Sequence, residues 1–365
     1  MVVRAACVVV VAGVLASAAW AQGTAGGAPA QAPAHSGEQA AELDPQVTEG
    51  VVHAAAAEVW KVFSTADGFK KMGPAQCDMD FRVGGLIRTH YNPKGVLGDE
   101  GTIQNQIIAY EPGRMVAIRI STPPKGFPFG EETWGKVWTV ITLTDLGNRT
   151  HVRISGQGYP NTEEGAKMRD FFEKGNRWVV QYLQKQFDAG APAPSGSAHA
   201  ATQADAVAPI DVTQVVALPR AEAFALLSSS DGWKRALEVN TNIELTPGGK
   251  FEVLFSMDAP EGQRGSEGCT VLSYVDNEML SFTWNAPPTF AHAREKHTWV
   301  VITFEELAPA STRIRLRHLG FDKQAASNPE HRAEWEQVRA YFMNAWPKVL
   351  GAVNAQTAAP VKSPG

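Results

Sequence analysis

A stretch of this 365-residue chain occurs twice. Ala57-Glu58 through Gly84-Gly85 returns 164 positions later as Ala221-Glu222 through Gly248-Gly249. Asp67-Gly68-Phe69 becomes Asp231-Gly232-Trp233 at the same offset, Tyr110 becomes Tyr274, Met115 becomes Met279, and Pro123-Pro124 becomes Pro287-Pro288. An unbroken offset held this long does not arise from shared composition, so the chain carries one fold used twice. A duplicated scaffold is not a duplicated site, and function has to be read separately.

Low-complexity stretches divide the chain. Residues 22–44, 189–208 and 355–365 are rich in Ala, Gly, Pro and Gln with little to bury, and read as an extension, a linker and a tail. The two blocks between them, 45–188 and 209–354, are each long enough for one hydrophobic core. Residues 1–21 read as an export leader: Arg4 opens it, Cys7 to Ala16 is apolar but too short to span a bilayer, and Ala19-Trp20-Ala21 has the form cleaved by signal peptidase. The mature chain is expected to be periplasmic or secreted, with no integral membrane segment after cleavage.

Charge excludes one class of partner. The first block holds 17 basic and 16 acidic residues and the second 14 and 18, so neither offers the positive field that nucleic-acid binding requires. Beyond the leader only Cys77 and Cys269 remain, and they are not equivalent positions of the repeat. Export permits a disulfide between them; two buried free thiols are the preferred reading.

The second copy is the clearer to read. Ile210–Leu218 alternates as a strand, Ala221–Ser229 forms a short helix, and Asp231 is placed to cap the next. Strands follow at Asn240–Thr246, Lys250–Ser256, Ser266–Val275, Met279–Asn285, Thr298–Leu307 and Thr312–Leu319, separated by turn residues. A long helix from about Glu330 to Val353 carries Trp335, Val338, Phe342, Ala345, Trp346 and Val349 as its apolar stripe, with Pro347 inside it. In the first copy Phe171, Phe172, Trp178, Val179, Tyr182, Leu183 and Phe187 make the matching stripe, where Gly175 weakens the helix or lets it approach the sheet. The expected fold is α+β: two tandem domains, each a curved antiparallel sheet wrapped on a long C-terminal helix, with two short helices after the first strand.

Thr246-Pro-Gly-Gly-Lys-Phe251, Leu280-Ser-Phe-Thr-Trp284, Thr312 through Phe321, and Tyr341 with Trp346 ahead of Leu350 resemble the START-like (SRPBCC, helix-grip) superfamily. The branch most similar is the one typified by the C-terminal domain of the Hsp90 ATPase activator. The resemblance covers nearly all of 209–353, and 47–188 more weakly through Gly84-Gly85, Trp138 and Gly158-Tyr159. It implies a cavity between sheet and long helix that takes lipids, steroids, polyketides or other apolar molecules.

On the last strand of the second copy Ile314, Leu316 and His318 share one face and Arg313, Arg315 and Arg317 the other. His318 is therefore expected to point into the cavity or its mouth. It could act there as a general base or polar anchor, with Tyr341 assisting, or be a core histidine bonded to the backbone or to Tyr341. The first copy has Gly156 at that place. Phe282, Trp284, Trp299, Phe321, Phe342 and Trp346 are the other candidates for lining a pocket in the second copy. Ile118, Ile120, Trp138, Tyr159, Trp178 and Tyr182 are the candidates in the first. The arginine stripe reads as a solvated face or a packing surface. His292, His297 and His331 lack metal-ligand spacing, and no phosphate-binding loop or nucleophile elbow is present, so neither metal nor cofactor is expected.

Three functional readings follow. The favoured one is a non-catalytic binder or carrier of an apolar small molecule or lipid. The alternatives are a protein-interaction module, with a protein as partner, and a cyclase- or lyase-type enzyme using His318. The two copies are expected to differ, one binding and the other structural or binding something else.

Overall fold

The computed structural model describes residues 42–188 and 207–356, which form two compact units. The leader, most of the 22–44 extension, most of the linker and the end of the tail lie outside the described residues. At three edges the structured chain runs a little further than composition suggests. The Leu43 amide donates to the Tyr159 carbonyl at 2.8 Å, Val207 is buried, and the Ala355 amide continues the last helix. Backbone pairing recruits these residues whatever their side chains.

The first unit runs β1 (Gln46–Val52), α1 (Ala56–Ser64), α2 (Ala66–Lys71), β2 (Gln76–Met79), β3 (Leu86–His90), β4 (Ile103–Glu111), β5 (Met115–Thr122), α3 (Glu131–Trp134), β6 (Trp138–Asp145), β7 (Thr150–Gln157) and α4 (Glu163–Asp188). Its seven strands form one sheet in the order β1-β7-β6-β5-β4-β3-β2. The β1–β7 and β6–β7 pairs are antiparallel, so the last strand lies between the first and the sixth. Met168, Phe172, Val179, Val180 and Leu183 keep helical spacing along α4 and are buried.

The second unit repeats the order: β8 (Ile210–Val216), α5 (Arg220–Ser228), α6 (Ser230–Leu237), β9 (Asn240–Ile243), β10 (Phe251–Leu254), β11 (Val271–Val275), β12 (Met279–Asn285), α7 (Ala291–Arg294), β13 (His297–Ala308), β14 (Ser311–Leu319), α8 (Phe321–Ser327), a single 3₁₀ turn (Pro329–His331) and α9 (Arg332–Asn354). Here the sheet is split. β11-β12-β13-β14-β8 form five strands, while β9 and β10 pair separately. The strands expected at Asn240–Thr246, Lys250–Ser256 and Ser266–Val275 are therefore shorter than their alternation suggests, and only isolated bridges such as Lys250 with Thr270 span the gap. Trp335, Val338, Phe342, Trp346, Val349, Leu350 and Val353 form the buried stripe of α9, which continues through Pro347.

The repeated tripeptide now has a cause. A Cβ on Gly68 would lie 2.1 Å from the Lys61 carbonyl oxygen, and one on Gly232 would lie 2.3 Å from that of Ala225, so only glycine lets the second short helix meet the first. The aromatic after it, Phe69 or Trp233, is buried. Capping differs from the sequence reading. Ser229, not Asp231, caps α6 by accepting from the Gly232 amide at 3.1 Å, and Thr65 does the same for α2 at 3.0 Å. A cap must sit outside the first turn with an extended backbone, and Ser229 has φ −132°, ψ 154°. Gly175 meets nothing within 4 Å of its would-be Cβ, so it marks no close approach of α4 to the sheet.

Candidate functional site

A cavity of about 230 Å³ opens in the second unit between α9 and the ends of two sheet segments. Trp284, Phe342, Trp346 and Val349 give it an apolar interior, and Asn285 and Ser266 add polar atoms. Phe255 and Tyr341 stand at it with about half their surface exposed, 52% and 49%. Period-two alternation on β12 brings Phe282 and Trp284 to the same face. Phe282 stacks on Phe251 at 3.9 Å and closes the interior behind Trp284. Trp284 in turn lies 5.2 Å from Trp346 of α9. Aromatic pairs from sheet and helix thus form the wall of the cavity.

One residue outside the sequence candidates holds this wall together. Arg294, at the end of α7, donates to the carbonyls of Ala286, Gly262 and Gly265 at 2.6, 2.5 and 2.9 Å. A planar fork with five donors can gather carbonyls from two chain segments at once. The Glu267 carboxylate accepts from the Gly262 and Arg264 amides at 2.7 Å each, fixing the same loop from its other side. No spacing rule marks Arg294, because its partners are backbone atoms of a remote loop.

His318 lies behind the aromatic wall and is fully buried. The indole Nε1–H of Trp346 donates to Nδ1 at 3.0 Å. Since an indole can only donate, Nδ1 is the bare nitrogen and the proton sits on Nε2. Nε2 is 2.7 Å from Thr298 Oγ1, which itself donates to the Trp284 carbonyl at 2.9 Å. The relay therefore runs from Trp346 through His318 and Thr298 to Trp284, two of whose members line the cavity. Phe321 and Phe342 pack on the imidazole at 4.5 and 4.8 Å. Burial without a countercharge pushes its pKa down to about 3. Both nitrogens are engaged, so His318 presents neither lone pair nor proton to the cavity. Tyr341 is not its partner; it lies at the mouth, against Phe342 and Phe290.

Trp299 does not reach the cavity. It alternates away from Thr298 and Val300, and its ring packs on Gly320, where a Cβ would lie 2.6 Å from Cζ3. Trp138 repeats this on Gly158 at 2.5 Å. Both glycines have positive φ, 101° and 76°, so each tryptophan covers a left-handed turn that a side chain could not occupy. Ile118 and Ile120 are buried on β5. Trp178 and Tyr182 stack on each other at 5.1 Å on the half-buried flank of α4.

Sheet register makes Gly156 the counterpart of His318. Gln46 faces Gly156 as Ile210 faces His318, and Thr139 faces it as Val300 does. The Tyr159 hydroxyl fills the vacated space, 2.5 Å from where a Gly156 Cβ would be. That hydroxyl is buried with no hydrogen-bond partner among the described residues, and burial pushes its pKa up. Asn176 of α4 lies in the apolar stripe and donates to Gln46 at 2.6 Å.

The arginine stripe and the two cysteines stand apart from the cavity. Arg313 pairs with Glu305, and Arg315 and Arg317 with Asp211, as cross-strand ion pairs. Cys77 and Cys269 are free thiols whose pKa values burial raises to about 11 and about 12, far from a reactive thiolate. No helix among the described residues is long and apolar enough to cross a membrane.

The family described as activator of Hsp90 ATPase homolog 1-like protein matches the chain twice, over residues 53–187 and 217–343. No curated protein matches it in sequence. Among solved structures, the crystal structure of the di-domain ARO/CYC BexL from the BE-7585A biosynthetic pathway aligns at 10% identity and a TM-score of 0.33, covering 87% of this chain and 100% of that one. DynU16, a putative protein of the dynemicin biosynthetic locus, aligns at 16% identity and 0.31, covering 85% and 98%. The Aha1 dimer from Colwellia psychrerythraea aligns at 19% identity and 0.29, covering 40% and 96%.

Proposed function

The chain belongs to the activator of Hsp90 ATPase homolog 1-like family, with both of its copies matched, and from this we propose that its second unit binds a small apolar molecule without transforming it. The observation that carries the reading is the 230 Å³ cavity walled by Trp284, Phe342 and Trp346. This is slightly below the range of about 300–1,000 Å³ usual for ligand sites, so the guest is small. Taking about 30 Å³, the liquid share of one water, as a generous allowance per atom, it holds at least about eight non-hydrogen atoms. Flat aromatic walls favour a flat, ring-containing guest, and Asn285 at the wall suits one polar substituent. Binding without turnover is supported by His318, the strongest acid–base candidate, whose nitrogens are both engaged behind the wall. The leader pattern of residues 1–21 supports placing this binding outside the cytoplasm, which N-terminal sequencing of the protein recovered from its own envelope would check.

Naphthalen-2-ol tests the reading, because Trp284 and Trp346 report directly on an occupied cavity. Saturable quenching of tryptophan emission is expected. Ala345→Trp, on the helix side of the cavity, is expected to abolish it while leaving the thermal midpoint within a few degrees. Quenching of equal affinity in the variant would remove the cavity as the binding site.

A further inference from the structure

The fold brings together three metal-binding side chains that sequence spacing kept apart. Donor atoms of His292, His331 and Glu334 all lie within 4.8 Å of one another. His331 ends the 3₁₀ turn and Glu334 lies in the first turn of α9, so three-residue spacing sets them on one helix face. His292 comes from α7, some forty positions earlier, and its ring stacks on His331 at a centroid distance of 3.9 Å.

We propose that His292, His331 and Glu334 form a site for a divalent transition metal ion of the zinc type. Two imidazoles and one carboxylate are a ligand set that zinc accepts readily, and three protein ligands leave one position open. Neither imidazole has a hydrogen-bond partner among the described residues, so no bond need break for either to coordinate. One Glu334 oxygen accepts from the Ala293 amide at 3.1 Å, which already orients the carboxylate toward α7. Tetrahedral bonds of about 2.05 Å would separate donor atoms by about 3.4 Å. The present spread of up to 4.8 Å would have to narrow on binding, and His292, which is exposed, is the ligand with most room to move. The ion would tie α7 to the start of α9. α7 carries Arg294, which fixes the cavity loop, and α9 supplies the cavity's helix side, so the metal would brace the two elements that frame the proposed binding site.

The test uses the full chain without an affinity tag, stripped with chelator and titrated with zinc chloride, then with cobalt chloride followed by visible absorption. One equivalent is expected to bind with a dissociation constant in the micromolar range or below, with cobalt d–d bands of a tetrahedral centre. His292→Ala and His331→Ala should each weaken zinc binding tenfold or more, as should Glu334→Gln, which keeps an acceptor for the Ala293 amide. His297→Ala, outside the cluster, should leave it unchanged. Zinc should raise the thermal midpoint of the native sequence and not of His331→Ala. Absence of saturable binding at 100 μM zinc (roughly a hundred times a micromolar dissociation constant), or binding indifferent to both histidine substitutions, overturns the proposal. Because none of these readouts involves an apolar guest, its failure would leave the cavity reading standing.

Discussion

Replacing His318 with Gln should flatten the acid side of this protein's stability profile. In the folded protein the imidazole is neutral, with Nδ1 accepting from Trp346 and Nε2 bonded to Thr298. Protonating it would set an N–H against the indole N–H in a site without a countercharge, which is why its pKa falls to about 3. Unfolded, the same side chain titrates near its ordinary value of about 6.5. A depressed folded pKa means the contribution is fully present above about 6.5 and is lost as pH falls toward 3, since only the unfolded state then gains the proton. The loss approaches about 1.4 kcal/mol per pH unit, which integrates to about 2 kcal/mol between pH 7.5 and 5.0. For a unit of this size that corresponds to roughly 4–8 °C in thermal midpoint.

Gln can accept from Trp346 and donate to Thr298 but cannot titrate. His318→Gln should therefore begin less stable at pH 7.5 and lose about 2 kcal/mol less than the native protein on going to pH 5.0. Urea unfolding followed by tryptophan emission measures both slopes. His297, which burial and then Arg294 also hold below its ordinary pKa, is present in both proteins and cancels in the difference. Parallel slopes would refute the buried neutral histidine. Nitrogen NMR offers a second check, expecting the Nε2–H tautomer to persist at pH 5.

Two further substitutions follow from the packing. Ser229→Ala should cost about 1 kcal/mol by removing the cap of α6, while Asp231→Ala should cost clearly less; equal losses in thermal unfolding would return the cap to Asp231. Gly156→Ala should destabilise the first unit by about 1–3 kcal/mol through its clash with the Tyr159 hydroxyl, and Tyr159→Phe should recover part of that loss. Strict additivity in the double variant would show that the two side chains do not compete for one space.

Much of the fold was legible because it was written twice. The offset identified the unit, alternation located β12, β13 and β14, and the helical stripe located α9. The glycines of the repeated tripeptide were visible as letters, but their cause, the carbonyls of Lys61 and Ala225, lies across a helix contact that no local pattern records. Strand lengths around Lys250 and Ser266 were overestimated because alternation marks side-chain faces and says nothing of whether a partner strand is present. Spacing put Trp284 on one face of its strand and Phe342 and Trp346 on the helix stripe, while the expectation of a cavity between them came from the family resemblance. Ala345 was visible only as a member of the α9 stripe. Phe255 and Arg294 were not identified, since their position depends on the path of a loop. The metal-binding cluster was invisible for the same reason: spacing joins His331 to Glu334, and only the fold delivers His292.

The two copies diverge most where their registers agree. Gly158-Tyr159 and Gly320-Phe321 occupy equivalent turns, each beneath a tryptophan, and in each the aromatic turns back toward the last strand. In the second unit that strand offers His318, and Phe321 packs on its ring without a hydroxyl to satisfy. In the first it offers Gly156, and the additional Tyr159 oxygen reaches across the space left open. A large strand residue beside a phenylalanine has been exchanged for a small one beside a tyrosine. The exchange conserves neither volume nor chemistry: one added oxygen does not replace an imidazole, and only the histidine supplies an acceptor for an indole on the long helix. That bond holds Trp346 in place as a wall of the cavity, and the first unit, with glycine at this position, cannot build it. At this one strand position the copies differ in a way that gives the proposed binding wall of the second unit a bond the first lacks.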